Sequence, residues 1–211
     1  MRTIALYTTK TMADWEYAYL TTQIVGAEQL KPGRFRLLLV GDGLEPVRTL
    51  GNLPLRPEAD LDALDALADD GSLAALVIPG GDHYAAGHDR LIKAVSRLAD
   101  QEIPVAAICG ATLLLARGGF LDERRHTSNA AQYLEASGYR GGAHYVEAPV
   151  VTNRGVTTAS GIHAVPFTAE VMRITGLVPD AMADAWEQVF LSAREDDYMA
   201  LMEATATWQN S

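Results

Sequence analysis

Cys109 is the only cysteine in the chain. It stands between a short apolar run, Val105 to Ile108, and a stretch suited to a helix, Thr112 to Arg117, that ends at Gly118 and Gly119. A cysteine at the end of a buried strand, followed at once by Gly110 and a helix, has the geometry of a nucleophile elbow. Backbone N–H groups and the positive end of the helix dipole there favour a thiolate. The usual elbow places glycines two residues either side of the nucleophile. Here Ala107 and Ala111 hold those positions and Gly110 is adjacent. Taken without its context, a lone cysteine is more often a small buried hydrophobe. One cysteine excludes an intramolecular disulfide and a cysteine-based zinc cluster.

The partners such a thiol needs must come from other strand ends, because open parallel sheets gather ligands beyond the carboxyl ends of their strands. Thr3 to Thr9 reads as a first strand leading into a helix, Ala13 to Leu30, that carries Asp14 and Glu16. Leu73 to Ile78 is a continuous apolar run, of the kind buried on both faces, and it leads through Pro79 to Gly80 and Gly81. A carboxyl beside the thiol could share its proton, and Gly81 with Gly110 could offer N–H groups to an oxyanion. Asp14 reads as a helix N-terminal residue interacting with the dipole. Trp15, Tyr17 and Tyr19 read as packing, with lining of a cleft as the alternative.

Between these elements the spacing predicts a second strand over Phe35 to Val40. Short strands follow around Gly51 and Asn52, then a helix marked by Leu61, Leu64 and Leu67, and another over Arg90 to Glu102. Strand and helix alternate, which gives an α/β fold: a parallel sheet with helices on both sides. After Phe120 comes a polar run, Arg124 to Asn129, and a short helix, Ala130 to Ser137. Strands Tyr145 to Val151 and Val156 to Ser160 form a hairpin-like pair, and helices span Phe167 to Thr175 and Met182 to Trp208. His83, His88 and His144 read as solvated loop residues, and His126, beside Arg124 and Arg125, as a surface or interface residue.

The chain's 211 residues fit one domain better than two. Its 27 acidic against 17 basic residues give a formal charge of -10, which opposes attraction to nucleic acid or anionic lipid. No apolar run is long enough to span a bilayer, and the N-terminus lacks the pattern of a signal peptide, so a cytoplasmic location is expected.

The pieces DWE at Asp14 to Glu16, VIPGG ending at Gly81, AICGAT around Cys109, GFLDERRHTSN from Gly119, and TTASG ending at Gly161 with Phe167 after it are spread over most of the chain. In that order they resemble the ThiJ/PfpI superfamily, whose members share the flavodoxin-like fold of class I glutamine amidotransferases. The resemblance implies that Cys109 is a reactive cysteine, Glu16 the carboxylic acid hydrogen-bonded to it, and Gly81 and Gly110 the backbone donors. It also implies a homodimer, and activities among deglycase or glyoxalase-like enzymes, isocyanide hydratases, PfpI-type peptidases and oxidative sensors of stress. Many members carry a histidine just after the cysteine or at the end of the polar stretch. Gly110 and Asn129 stand there in this chain, and asparagine is no base at neutral pH, which argues against peptidase and glyoxalase activity. His126 and His163 are the histidines that could substitute, and Thr112, in the first turn after the elbow, is a further assisting candidate. The glutaminase histidine and glutamate pair is not visible around His163, where Ala164 and Val165 follow.

Two readings follow. In the first, Cys109 attacks a carbonyl, nitrile-like or isonitrile-like carbon of a small-molecule substrate, in a hydrolase or lyase-like reaction with Glu16 as proton partner and no metal or organic cofactor. In the second, Cys109 is a redox-sensing thiol oxidised to a sulfinate held by Glu16 and the backbone donors.

Overall fold

The computed structural model describes residues 1–211. In chain order the elements are β1 (Arg2–Tyr7), α1 (Asp14–Leu30), β2 (Phe35–Gly41), β3 (Val47–Arg48), β4 (Pro54–Leu55), β5 (Ala59–Asp60), α2 (Ala63–Asp69), β6 (Leu73–Ile78), α3 (Asp89–Asp100) and β7 (Val105–Ile108). They continue as α4 (Ala111–Arg117), α5 (Ala131–Glu135), β8 (Val150–Asn153), β9 (Val156–Ala159), α6 (Ala164–Thr175), α7 (Asp180–Ser192) and α8 (Glu195–Gln209).

Seven strands form one sheet in the order β5-β2-β1-β6-β7-β9-β8, parallel except for the antiparallel edge strand β8. This is the mostly parallel, flavodoxin-like sheet that the alternation of strand and helix predicts. The period-two geometry of a strand divides β1 between the two faces. Ala5 and Tyr7 join the core under α2 to α5, together with Leu64, Leu91, Val95 and Leu114. Ile4 and Leu6 join the core under α1 and α6 to α8, together with Leu20, Ile24, Phe167 and Trp186. Helices on both sides leave no solvated face at the centre, so every residue of β6 and β7 is buried. That double burial is why both strands read in the sequence as unbroken apolar runs.

The register decides where the chemistry sits. Ile78 pairs with Ala107 and Ile108 with Ala159, so the ends of β6, β7 and β9 lie side by side. Gly80, Cys109 and Gly161 follow those ends within two residues. Strand order also reverses at β1, whose neighbours are β2 on one side and β6 on the other, and α1 starts just beyond that reversal. Doubly wound sheets place their ligands at such a crevice.

The polar run Arg124 to Asn129 is extended without forming a regular strand, and a single parallel bridge joins His126 to Tyr145. Two expectations are corrected. The strand expected from Tyr145 begins only at Val150, because a 3-10 turn over Gly142–His144 and then Pro149 precede it. The helix expected over Met182 to Trp208 is two helices, broken at Ala193, which adopts a left-handed φ of 54°. The Ser192 hydroxyl accepts the Arg194 N–H and donates to Asp197, closing the turn. Glu195, Asp196 and Asp197 fill the first turn of α8, where carboxylates favour a helix N-terminus. The acidic run therefore marks a helix start inside an otherwise helical stretch.

Candidate active site

Cys109 adopts φ 58°, a left-handed conformation that few residues with a Cβ occupy and that functional sites concentrate. The surrounding pairing fixes it: its own N–H donates to Ala159 O at 2.9 Å, extending the β7–β9 ladder by one residue before α4 begins. The elbow brings the thiol so close to its neighbours that two of them cannot carry a side chain. A Cβ on Gly161 would lie 2.8 Å from Sγ and 2.9 Å from Glu16 Oε1. One on Gly80 would lie 2.7 Å from Glu16 Oε2 and 3.0 Å from Sγ. The sulfur and the carboxyl group of Glu16 are thus enclosed together between the β6 and β9 loops.

Glu16, in the first turn of α1, is fully buried at 0% exposure. Its Oε2 accepts the Gly80 N–H at 2.6 Å, whereas its Oε1 has no hydrogen-bond partner. Removing a carboxylate from water disfavours the charged form, and burial lifts Glu16 to about 7 against the pull of the Gly80 N–H and the neighbouring thiol. Burial also raises the Cys109 thiol, and an ionised Glu16 would raise it further; the Asn129 amide and the Gly110 N–H act the other way. Loss of water around the sulfur is the largest of these influences, ahead of the Asn129 amide and the Gly110 N–H. Two such neighbouring acids titrate as a pair, holding both protons below about 7 and one between the first and second steps.

Asn129 takes the place that the resemblance gives to histidine. Its Nδ2 donates to Cys109 Sγ at 3.3 Å while its Oδ1 accepts the Gly161 N–H at 2.9 Å, which fixes the orientation of the amide. It supplies a donor to a thiolate rather than a base to a thiol. Asn129→Asp exchanges that donor for a carboxylate beside the sulfur. Alkylation of Cys109 by iodoacetamide at pH 8 is then expected to slow about tenfold, as the thiolate fraction falls by that factor. An unchanged rate would remove Asn129 from the site.

The other candidates separate clearly. Gly81 and Gly110 line a cleft of about 430 Å³ together with Cys109 and Glu16, so both expected donors face the thiol's surroundings. Gly80, weighed with Gly81 as a turn glycine and backbone donor, gives its N–H to Glu16; Gly161, against the sulfur, is the residue sequence reasoning missed, the TTASG stretch being its only signal. Thr112 bonds to Cys109 O and to Ser128 Oγ at 2.6 and 2.7 Å, supporting the elbow's backbone rather than touching the sulfur. His126 is fully buried, correcting the surface reading. Its ring nitrogens meet Arg124 O at 2.8 Å and the Tyr139 hydroxyl at 3.2 Å, which rules out substitution for the missing histidine. His163 lines a second cleft that also reaches Cys109, with its Nδ1 on Ser160 Oγ at 2.6 Å. His88 is likewise no simple loop residue, since its Nδ1 meets the Tyr7 hydroxyl at 3.1 Å. Asp14 accepts the Gly51 N–H at 2.6 Å, tying the β3–β4 ribbon to α1. Trp15 donates from Nε1 to Gly161 O at 2.9 Å, joining α1 to the β9 loop.

Comparison with known proteins places this geometry. The sequence profile of the DJ-1/PfpI family matches residues 2–174. The chain belongs to the DJ-1/PfpI family. It is 32% identical over 207 residues to the uncharacterized protease YoaZ of Bacillus subtilis, covering 95% of this chain and 96% of that one. A thiJ/pfpI family protein from Bacillus anthracis superposes with a TM-score of 0.85 at 29% identity, over 97% of this chain and 98% of its own. A DJ-1 superfamily protein from Agrobacterium tumefaciens gives 0.78 at 34% identity, over 92% and 99%. The part matched to DJ-1/PfpI contains Glu16, Gly80, Cys109, Asn129 and Gly161 and reaches the last turn of α6. The helices α7 and α8 lie beyond it. No helix is long and apolar enough to cross a membrane.

Proposed function

We propose that this DJ-1/PfpI protein is a cysteine-dependent enzyme, hydrolase or lyase-like, acting on a small electrophile. The observation that carries the reading is Glu16: a fully buried carboxyl group whose Oε1 has no partner and which is enclosed with the sulfur. A neutral Glu16 offers its O–H to a Cys109 thiolate, so the pair stores the nucleophile and the proton that the reaction needs. When the sulfur's electron pair bonds to a carbonyl carbon, the C=O π electrons move to oxygen, which takes the proton from Glu16. The N–H groups of Gly81 and Gly110 are the donors we assign to that oxygen as its charge develops. The same pair serves a nitrile-like or isonitrile-like carbon, with the proton passing to the atom that gains charge.

The name protease borne by YoaZ fits the same nucleophile acting on an amide. Cleavage would then return that proton from the oxygen to Glu16 as the C=O re-forms and pass it on to the leaving amine, since Asn129 supplies no base. The unpartnered Oε1 supports a second use as well: its O–H could hold a sulfinate formed when peroxide oxidises Cys109. Intact-mass measurement separates the two uses. A screen of neutral aldehydes and isonitriles is expected to give turnover that Cys109→Ala abolishes, with a covalent adduct on Cys109 in trapped samples. Equal turnover by both proteins would defeat the enzyme reading. Absence of any turnover, with a stable sulfinate after mild peroxide, would favour the sensor.

A further inference from the structure

Cys109 lines two clefts, and neither is lined by lysine or arginine. The smaller carries Gly81 and Gly110 together with the acids Glu16 and Asp82. The larger, about 770 Å³, is lined by no lysine, arginine or carboxylate; its walls include Trp15, Tyr19, Ile162, Val165 and Leu191 beside Cys109, with His163 the one basic side chain, its Nδ1 on Ser160 Oγ. Three of those apolar side chains remain largely in water: Ile162 is 87% exposed, Leu191 62% and Trp15 51%. Apolar surface left in water around a cavity is stabilised by whatever covers it.

The far wall comes from outside the part matched to DJ-1/PfpI. Leu191 lies in the last turn of α7, just before the left-handed break at Ala193. Its position is held by an aromatic group in which Tyr19 stacks edge-on against Trp186 at 6.0 Å and Phe190 at 5.1 Å. Tyr19 itself lines the cleft, so one residue of α1 both anchors α7 and forms the wall facing it.

We infer that the larger cleft selects neutral electrophiles bearing an extended apolar group, with the reacting carbon at Cys109 and the apolar part running between Trp15 and Leu191. The inference deepens the enzyme reading and rests on it for the reaction, though not for the binding. Anionic substrates are disfavoured because no lysine or arginine lines either cleft and two carboxyl groups stand beside the smaller one.

The single thiol makes the test direct. Alkylation by a series of N-alkyl iodoacetamides, in which the sulfur bonds to carbon and iodide leaves, is compared with the same reagents acting on a free thiol. The normalised second-order rate is expected to rise by up to about fourfold per methylene from methyl to hexyl, the gain from fully burying each group. Iodoacetate should react at least about tenfold more slowly than iodoacetamide after the same normalisation. Leu191→Asp should flatten the dependence on chain length, whereas Leu44→Asp, an exposed leucine outside both clefts, should preserve it. Calorimetry of Cys109→Ala with unreactive N-hexylacetamide and N-methylacetamide reads the cleft without the thiol, and the hexyl compound should bind at least about tenfold more tightly. Chain-length-dependent binding with an inert thiol would uphold the cleft and defeat the enzyme reading. Reactive thiol with flat rates and equal binding would overturn the cleft and spare the thiol. Flat rates with a dimer that Leu191→Asp dissociates would give the apolar rim to a second copy and also overturn it.

Discussion

Glu16→Gln is expected to lower turnover by about 100- to 10,000-fold, the range over which a positioned proton donor acts, while the protein keeps its fold. Glutamine matches the side chain in size, its carbonyl can still accept the Gly80 N–H, and its amide can still face the sulfur. What it lacks is a proton to give when an adduct forms. Because the carboxyl group is completely buried, no water molecule at that position replaces it easily. The measurement is kcat/KM on a substrate found by the screen, with near-ultraviolet circular dichroism to establish that packing is intact. Turnover within a factor of two of the parent in a folded variant would exclude Glu16 from proton transfer.

The same substitution is expected to make the folded state more stable at alkaline pH. Burial lifts Glu16 from an ordinary 4.5 to about 7, so the pair it forms with Cys109 keeps both protons up to about that pH. Between those values the folded state keeps a proton that the unfolded chain has released. Stability therefore falls as pH rises through that window and levels off above about 7. The full loss is on the order of 3 kcal/mol, since each tenfold change in a proton equilibrium corresponds to about 1.4 kcal/mol. Glutamine never ionises and escapes it. Urea unfolding should show equal stability for the two proteins near pH 4 and a clear advantage for Glu16→Gln at pH 8. A parent whose stability rises over this interval relative to the variant would show that Glu16 folds as a satisfied carboxylate. The buried acid is thus a local cost, retained for what it does to the thiol.

The sequence carried the central sheet plainly because β6 and β7 are covered on both faces, and double burial leaves a continuous apolar run. Cys109 was legible as an elbow because its flanks change abruptly from strand-like to helical. Glu16 was not legible from periodicity. A buried glutamate one turn into a helix looks like any solvent-facing one until its partner, 93 positions away, is known, and only the resemblance of DWE singled it out. The desolvation of the thiol was not legible for a related reason: a short helix after a cysteine is visible in sequence, whereas burial of the sulfur depends on the loops after β6 and β9. His126 was misplaced because Arg124 and Arg125 make its neighbourhood look solvated. In the fold the chain turns there, burying the imidazole against Tyr139 and Tyr145 while Arg125 stays outside. The break at Ala193 had a signal in the acidic run after it, but helical periodicity on both sides concealed it.

The most direct test of the shared proton is the rate of Cys109 alkylation by iodoacetamide as a function of pH, in the parent and in Glu16→Gln. If one proton is divided between sulfur and carboxyl group, the parent shows two rises. The first, near pH 7, comes as the pair loses its first proton and the thiolate with a neutral Glu16 becomes populated. The second, above the ordinary thiol value, comes as the last proton leaves against the combined charge. Glu16→Gln should show a single rise. A parent profile with one rise only, high in pH and unmoved by the substitution, would mean that the first proton leaves Glu16 alone, that the sulfur stays a thiol at neutral pH, and that the stored nucleophile does not exist.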